Sequence, residues 1–175
     1  MQARPDPVRD AALFKQFAER VNQYIDLHKR LKKEGPPLKD KAEPEEIKAS
    51  TEALRARIQA ARSRARPGDV LMPELRPVFR RILRSELTGP GSADARDAVL
   101  VEGNPKVEGP RTPLVVKVNA VYPSAAALST VPPTILLKLP KLPDEILEYR
   151  FVGRDMILRD VAADLIVDFM KGAVP

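Results

Sequence analysis

The chain has 175 residues, 43% of them hydrophobic, enough to bury one core without staples. It has no Cys, which removes disulfides, thiol nucleophiles and Cys-ligated metals. The formal net charge of +6 sits in the first half: residues 1–90 carry 20 Lys+Arg against 13 Asp+Glu, and residues 91–175 carry 10 against 11. Such asymmetry favours an anionic partner, nucleic acid or a membrane surface. No apolar run reaches the ~18 residues that cross a bilayer, so no transmembrane segment is expected. The start, Met1 to Pro7, has no apolar leader core, so no signal peptide is visible.

A first helix is predicted from Val8 to Lys33. Phe14, Phe17, Val21, Tyr24, His28 and Leu31 recur at alternating spacings of three and four, and Leu13, Ala18 and Ile25 widen that seam. Lys29, Arg30, Lys32 and Lys33 suit the negative end of the helix, and Gly35-Pro36-Pro37 stops it. A second helix starts near Pro44, with Glu45 and Glu46 in its first turn. Its seam is Ile47, Thr51, Leu54, Ile58, Ala61 and Ala65, and Pro67-Gly68 ends it. A third helix spans Pro73 to Leu87, with Met72, Leu75, Phe79, Ile82 and Leu83 apolar. Pro77 predicts an irregular first turn there. Ser92 is placed to cap a short helix running to about Val101.

Gly103 to Pro113 reads as a connector, and after it helical period gives way to strand period. Leu114, Val116, Val118 and Ala120 alternate with Val115, Lys117, Asn119 and Val121, which predicts a strand. Ser124 to Thr130 is a loop of small residues. Thr134 to Leu139 is a short helix introduced by Pro132-Pro133, and Leu139 to Pro143 is an extended apolar arm. Leu147 to Val152 then alternates, with Tyr149 and Phe151 on one side and Glu148 and Arg150 on the other. Gly153-Arg154-Asp155 is a tight turn, Met156 to Arg159 resumes the strand, and Leu165-Ile166-Val167 is a third. Three consecutive strands make an antiparallel meander.

These segments also resemble a known group. The stretches LSTVPPTILLKLPKLP (128–143), LEYRFVGRDMILRD (147–160) and LIVDF (165–169) are similar to the C-terminal block of a bacterial family of uncharacterised proteins that are usually exported. RVNQYIDLHK (20–29) is similar in style to that family's helical part. The resemblance implies a location, periplasmic or secreted, and brings no activity and no site residues with it. A cytoplasmic location stays open.

Chemistry-bearing residues are few. His28 is the only His, at a seam position, and reads as a packing residue hydrogen-bonded to a neighbour rather than a pH sensor or general base. No Gly-x-Ser-x-Gly elbow accompanies it, and no phosphate loop, zinc spacing or calcium loop occurs. Asp160, Asp164 and Asp168 recur every four residues and read as outward, solvated carboxylates. Nine basic residues between Arg55 and Arg84 face only Asp69 and Glu74. Arg55, Arg62, Arg66, Arg80 and Arg84 are therefore the candidate anion contacts. No exposed aromatic residues accompany them for base stacking.

The expected architecture is α+β. A helical region (1–102) with a hairpin and a third helix packs with an antiparallel sheet in 103–175, as one composite domain. Leu75, Phe79 and Leu83 are expected to meet Val116, Val118, Tyr149, Phe151 and Leu158. The expected function is non-catalytic, without cofactor or metal. It is to bind or scaffold a protein or envelope partner, with nucleic-acid or anionic-surface binding through the Arg face as the alternative.

Overall fold

The computed structural model describes residues 6–107, 114–143 and 145–175. The leader reading of Met1 to Pro5 and the connector reading of 108–113 lie outside them. Asp6 starts the longest element: its carboxylate accepts from the N–H groups of Val8 and Arg9 at 3.2 and 3.1 Å, and Pro7 supplies a first residue that needs no N–H partner. Helix α1 runs Pro7–Lys33, followed by α2, Pro44–Ala61. Pro73–Leu75 is a 3₁₀ turn and α3 follows as Arg76–Leu87, so Pro77 falls in a first turn, where its missing N–H is harmless. Helices α4, Ala93–Leu100, and α5, Pro133–Lys138, are short. Strands β1, Leu147–Val152, β2, Asp155–Asp160, and β3, Leu165–Met170, form one antiparallel sheet in that order.

The fold is thus α+β with a helical hairpin, a third helix and a C-terminal meander. One face of the sheet packs on the helices. Phe79 of α3 sits at the centre, its ring 5.9 Å from Phe17, 6.3 Å from Phe14 and 6.3 Å from Tyr149. Leu75, Leu83, Phe151 and Leu158 are wholly buried in the same cluster, which draws on both halves of the chain. Val116 belongs elsewhere: it packs on the opposite sheet face with Tyr122, Val152, Ile157 and Ile166. The α2 seam is narrower than its period implies. Leu54 and Ile58 are buried, but Ile47 is 48% exposed and Ala61 lies outside.

The alternating segment from Leu114 to Val121 does not form a strand. It reaches β3 through a single bridge, Val121 to Leu165, and through N–H···O bonds linking Asn119 and Ala120 with Ile166 and Tyr122 with Asp164. The cause is a turn. Ala120 N–H closes onto the Lys117 carbonyl, and Asn119 takes φ +61°, a conformation Asn tolerates. Helix α2 holds it there: Asn119 exchanges side-chain hydrogen bonds with Arg62 (2.9 and 2.7 Å) and its carbonyl accepts from Gln59 at 2.8 Å.

Gly153 opens the β1–β2 turn at φ +62°, as the Gly-Arg-Asp order requires. Gly103, at φ +61°, is more constrained, because a Cβ there would lie 2.3 Å from the Leu128 carbonyl oxygen, whereas at Gly153 the nearest atoms belong to the flexible Lys106 side chain. Gly153→Ala is therefore expected to lower stability by about 1 kcal/mol through backbone strain alone, and Gly103→Ala by more than about 2 kcal/mol. Denaturant melts of the two variants check the order; equal losses would contradict it.

Candidate functional site

The chemistry-bearing side chains converge where α1 crosses the end of β2. Tyr24 and His28 are four residues apart, so both project from one face of α1. That face meets Asp160, the last residue of β2. The Tyr24 hydroxyl donates to Asp160 Oδ2 at 2.7 Å, and His28 Nδ1 meets the same oxygen at 2.6 Å. Asp160 Oδ1 accepts from the Ala163 N–H at 2.9 Å, within the β2–β3 turn. An ionised carboxylate only accepts, so His28 carries its proton on Nδ1 and donates. All three residues are at most 3% exposed.

The sequence places His28 correctly as a hydrogen-bonded packing residue. It places Asp160 wrongly: this carboxylate is buried, not solvated. Its cluster is poorly equipped for acid–base work. Burial, then the charge of Asp160, pushes the Tyr24 phenol well above its ordinary range, so it stays protonated. The Arg62 guanidinium lies 5.1 Å over the Tyr24 ring.

Asp168 is the second correction. It too is wholly buried, and it accepts from the N–H groups of Val70 and Leu71 at 2.8 Å each, of Gly68 at 3.1 Å and of Phe169 at 2.8 Å. A carboxylate here ties the loop after α2 to the sheet. Burial raises its pKa against the pull of those four donors. The missed cause is a register shift: Leu158 pairs with Asp168 and Arg159 with Ile166, leaving Val167 as an extra residue. A bulge breaks the alternation of faces, so Asp168 turns to the helical side while Asp164 stays on the other.

On that other face, Glu148 accepts from Arg150 at 2.8 Å and from Arg159 at 2.7 Å. Arg159 also donates to Asp164 and lies 5.2 Å over the Tyr122 ring, whose hydroxyl donates to the Ala127 carbonyl. Burial alone would raise Glu148, but the two guanidinium bonds outweigh it and hold the carboxyl below its ordinary range.

The five candidate anion contacts do not form one free patch. Arg55 donates to the Ala163 carbonyl, Arg62 to Asn119 and the Val167 carbonyl, and Arg80 to the Gly172 and Lys171 carbonyls. Burial lowers the Arg62 pKa. Arg66 and Arg84 are exposed. Among the described residues no group of three His, Asp or Glu is arranged to hold a metal ion, and no helix is long and apolar enough to cross a membrane.

Asp160→Asn and Asp168→Asn should each cost about 2–4 kcal/mol, because an amide turns donors toward donors in a buried site. Tyr24→Phe should cost about 1–2 kcal/mol. Asp164→Asn should stay within about 1 kcal/mol, since Asp164 is partly exposed at φ +47°, where Asn fits. Urea melts rank the four; equal losses at Asp164 and Asp168 would contradict the bulge. Glu148 also sets a pH dependence. Its folded value is depressed, so its contribution is complete above its ordinary value of 4.5 and is lost as pH falls through the folded value. Glu148→Gln should flatten that acid limb in melts across pH.

Comparison with known proteins returned no matching family model, no matching curated protein and no matching solved structure.

Proposed function

We propose that the chain is a non-catalytic exported bacterial protein that binds or scaffolds a partner at the cell envelope. The observation that supports a non-catalytic role is the closure of the Tyr24–His28–Asp160 cluster. It contains the only His, yet each member is buried and each finds its partner inside the fold. A substrate would have to displace core side chains to reach it. The cluster is better suited to docking α1 on the sheet than to moving protons. The outer surface then carries the function, as in a rigid binding module.

The envelope setting rests on the resemblance of the C-terminal block to exported bacterial proteins. The Arg-face alternative draws less support, because Arg55, Arg62 and Arg80 are spent on main-chain carbonyls within the chain. Arg62 in particular is a structural cation, so Arg64 and Arg66, both exposed, are the appropriate probes of polyanion binding.

Fractionation of the native host, with an antibody to the chain, is expected to place it with the periplasm or envelope. Recovery in the cytosol with nucleic acid would overturn the reading. On heparin the purified chain should elute at or below physiological salt, where screening acts over ~8 Å. The Arg64→Glu, Arg66→Glu double variant should elute only slightly earlier. Polyanion binding that survives physiological salt and is lost in the double variant would favour the alternative.

A further inference from the structure

Arg20, Gln23 and Tyr24 stand on one face of α1, and across an open cleft of about 380 Å³ they meet the end of α2 and the loop after it. Arg62, Arg64 and Asp69 line the far wall. Three arginines and one carboxylate thus share a cleft at the small end of the ligand-pocket range, which runs from about 300 to 1,000 Å³.

Two of the guanidinium groups are fixed without being neutralised. Arg20 Nη1 donates to the Asp69 carbonyl at 2.8 Å and to the Gly68 carbonyl at 3.4 Å. Arg62 lies over the Tyr24 ring and donates to the Asn119 side chain and the Val167 carbonyl. All of these acceptors are neutral, so the positive charge stays while the side chains are already ordered. Among the described residues, Nε and Nη2 of Arg20 and Nε of Arg62 make no hydrogen bond and remain as donors. Arg64 is exposed and has no hydrogen-bond or ion-pair partner among the described residues.

Two features oppose an anion here, and both are blunted. Asp69 turns one carboxylate oxygen to the Arg66 N–H at 2.8 Å. The negative end of α2 is partly capped, because the carbonyls of Ile58, Ala60 and Arg62 accept from the N–H groups of Arg62, Ser63 and Ala65. Asp160 and Asp168 attract Arg62 but are buried and do not line the cleft.

We propose that this cleft binds a phosphoryl group, as free phosphate or as a phosphomonoester, on Arg20, Arg62 and Arg64, with the Gln23 amide as a neutral donor. Charge sets the class. Three guanidinium groups against Asp69 leave a surplus of two positive charges, which a dianion matches and a monocarboxylate does not. A polyanion needs many contacts along an exposed face, whereas one phosphoryl group needs only this cleft. The inference therefore goes beyond the envelope reading and does not depend on it.

The test is calorimetric titration of the purified full chain with inorganic phosphate and, separately, with phenyl phosphate, at constant ionic strength, with acetate and chloride as controls. Saturable binding of a phosphate probe is expected, with no comparable response to acetate or chloride. Phenyl phosphate bound at least as well as the free ion marks an esterified ligand, and preference for the ion marks free phosphate. Arg64→Gln should weaken binding by about fivefold or more with an unchanged melting temperature, since its side chain holds nothing in the fold. Arg20→Gln should weaken it by about tenfold, but it also releases the loop after α2. Asp69→Asn is the cleaner companion: it removes the opposing charge, keeps an oxygen for the Arg66 N–H, and should tighten binding by about two- to fivefold. Absence of saturable phosphate binding, an equal response to acetate or chloride, unchanged affinity in Arg64→Gln, or weaker binding in a folded Asp69→Asn variant would overturn the proposal.

Discussion

A single buried carboxylate, Asp160, fixes how the long first helix meets the sheet. It stands at the end of β2 and receives Tyr24, His28 and the Ala163 N–H. Charge buried without donors would be strongly unfavourable, so α1 is held where Tyr24 and His28 both reach Asp160. The aromatic contacts around Phe79 lie in the apolar cluster nearby and are tolerant of small displacements. The polar triad supplies the register. Removing one member of such a buried hydrogen-bonded set leaves its partners unsatisfied, which is costly even where the intact set adds little net stability.

Asp168 does for the loop after α2 what Asp160 does for α1. Four N–H groups in Gly68, Val70, Leu71 and Phe169 would otherwise be hard to satisfy at the edge of the core, and one carboxylate gathers them. The bulge at Val167 is what aims it. Arg62, donating to the Val167 carbonyl and to Asn119, closes the same corner from α2. The helices and the sheet are therefore joined by hydrogen-bonded polar anchors at Asp160, Asp168 and Arg62, to which Arg55 and Arg80 add bonds to the Ala163 and Gly172 carbonyls.

The opposite sheet face has its own anchor in Glu148, Arg150, Arg159 and Asp164, under Tyr122 and the loop to Ser129. Arg150 donates to the Ser129 carbonyl, and Ser129 in turn accepts the Phe151 N–H, so the free edge of β1 is covered rather than left open to pairing. With both faces and the β1 edge occupied, the sheet is a frame. The short α5 carries Leu136 and Leu137 outside this frame.

Local periodicity determined the elements. The three-and-four spacing of Phe17, Val21, Tyr24, His28 and Leu31 specifies α1. Pro77 specifies the irregular start of α3, and Tyr149 and Phe151 against Glu148 and Arg150 specify β1, because these patterns act within one or two turns of chain. The alternation from Leu114 to Val121 has the same local form yet makes a turn, since Arg62 and Gln59, far away in sequence, hold Asn119 at positive φ. Asp160, Asp164 and Asp168 are alike in spacing and unlike in fate. Only the bulge in β3 and the crossing of α1 decide which are buried, and neither leaves a trace in residue spacing. The arginine face shows the same division: composition reveals the charge, but the carbonyls that consume Arg55, Arg62 and Arg80 come from the sheet end of the chain. Sequence carries short-range geometry; the partner of a charge is chosen by the packing of distant segments.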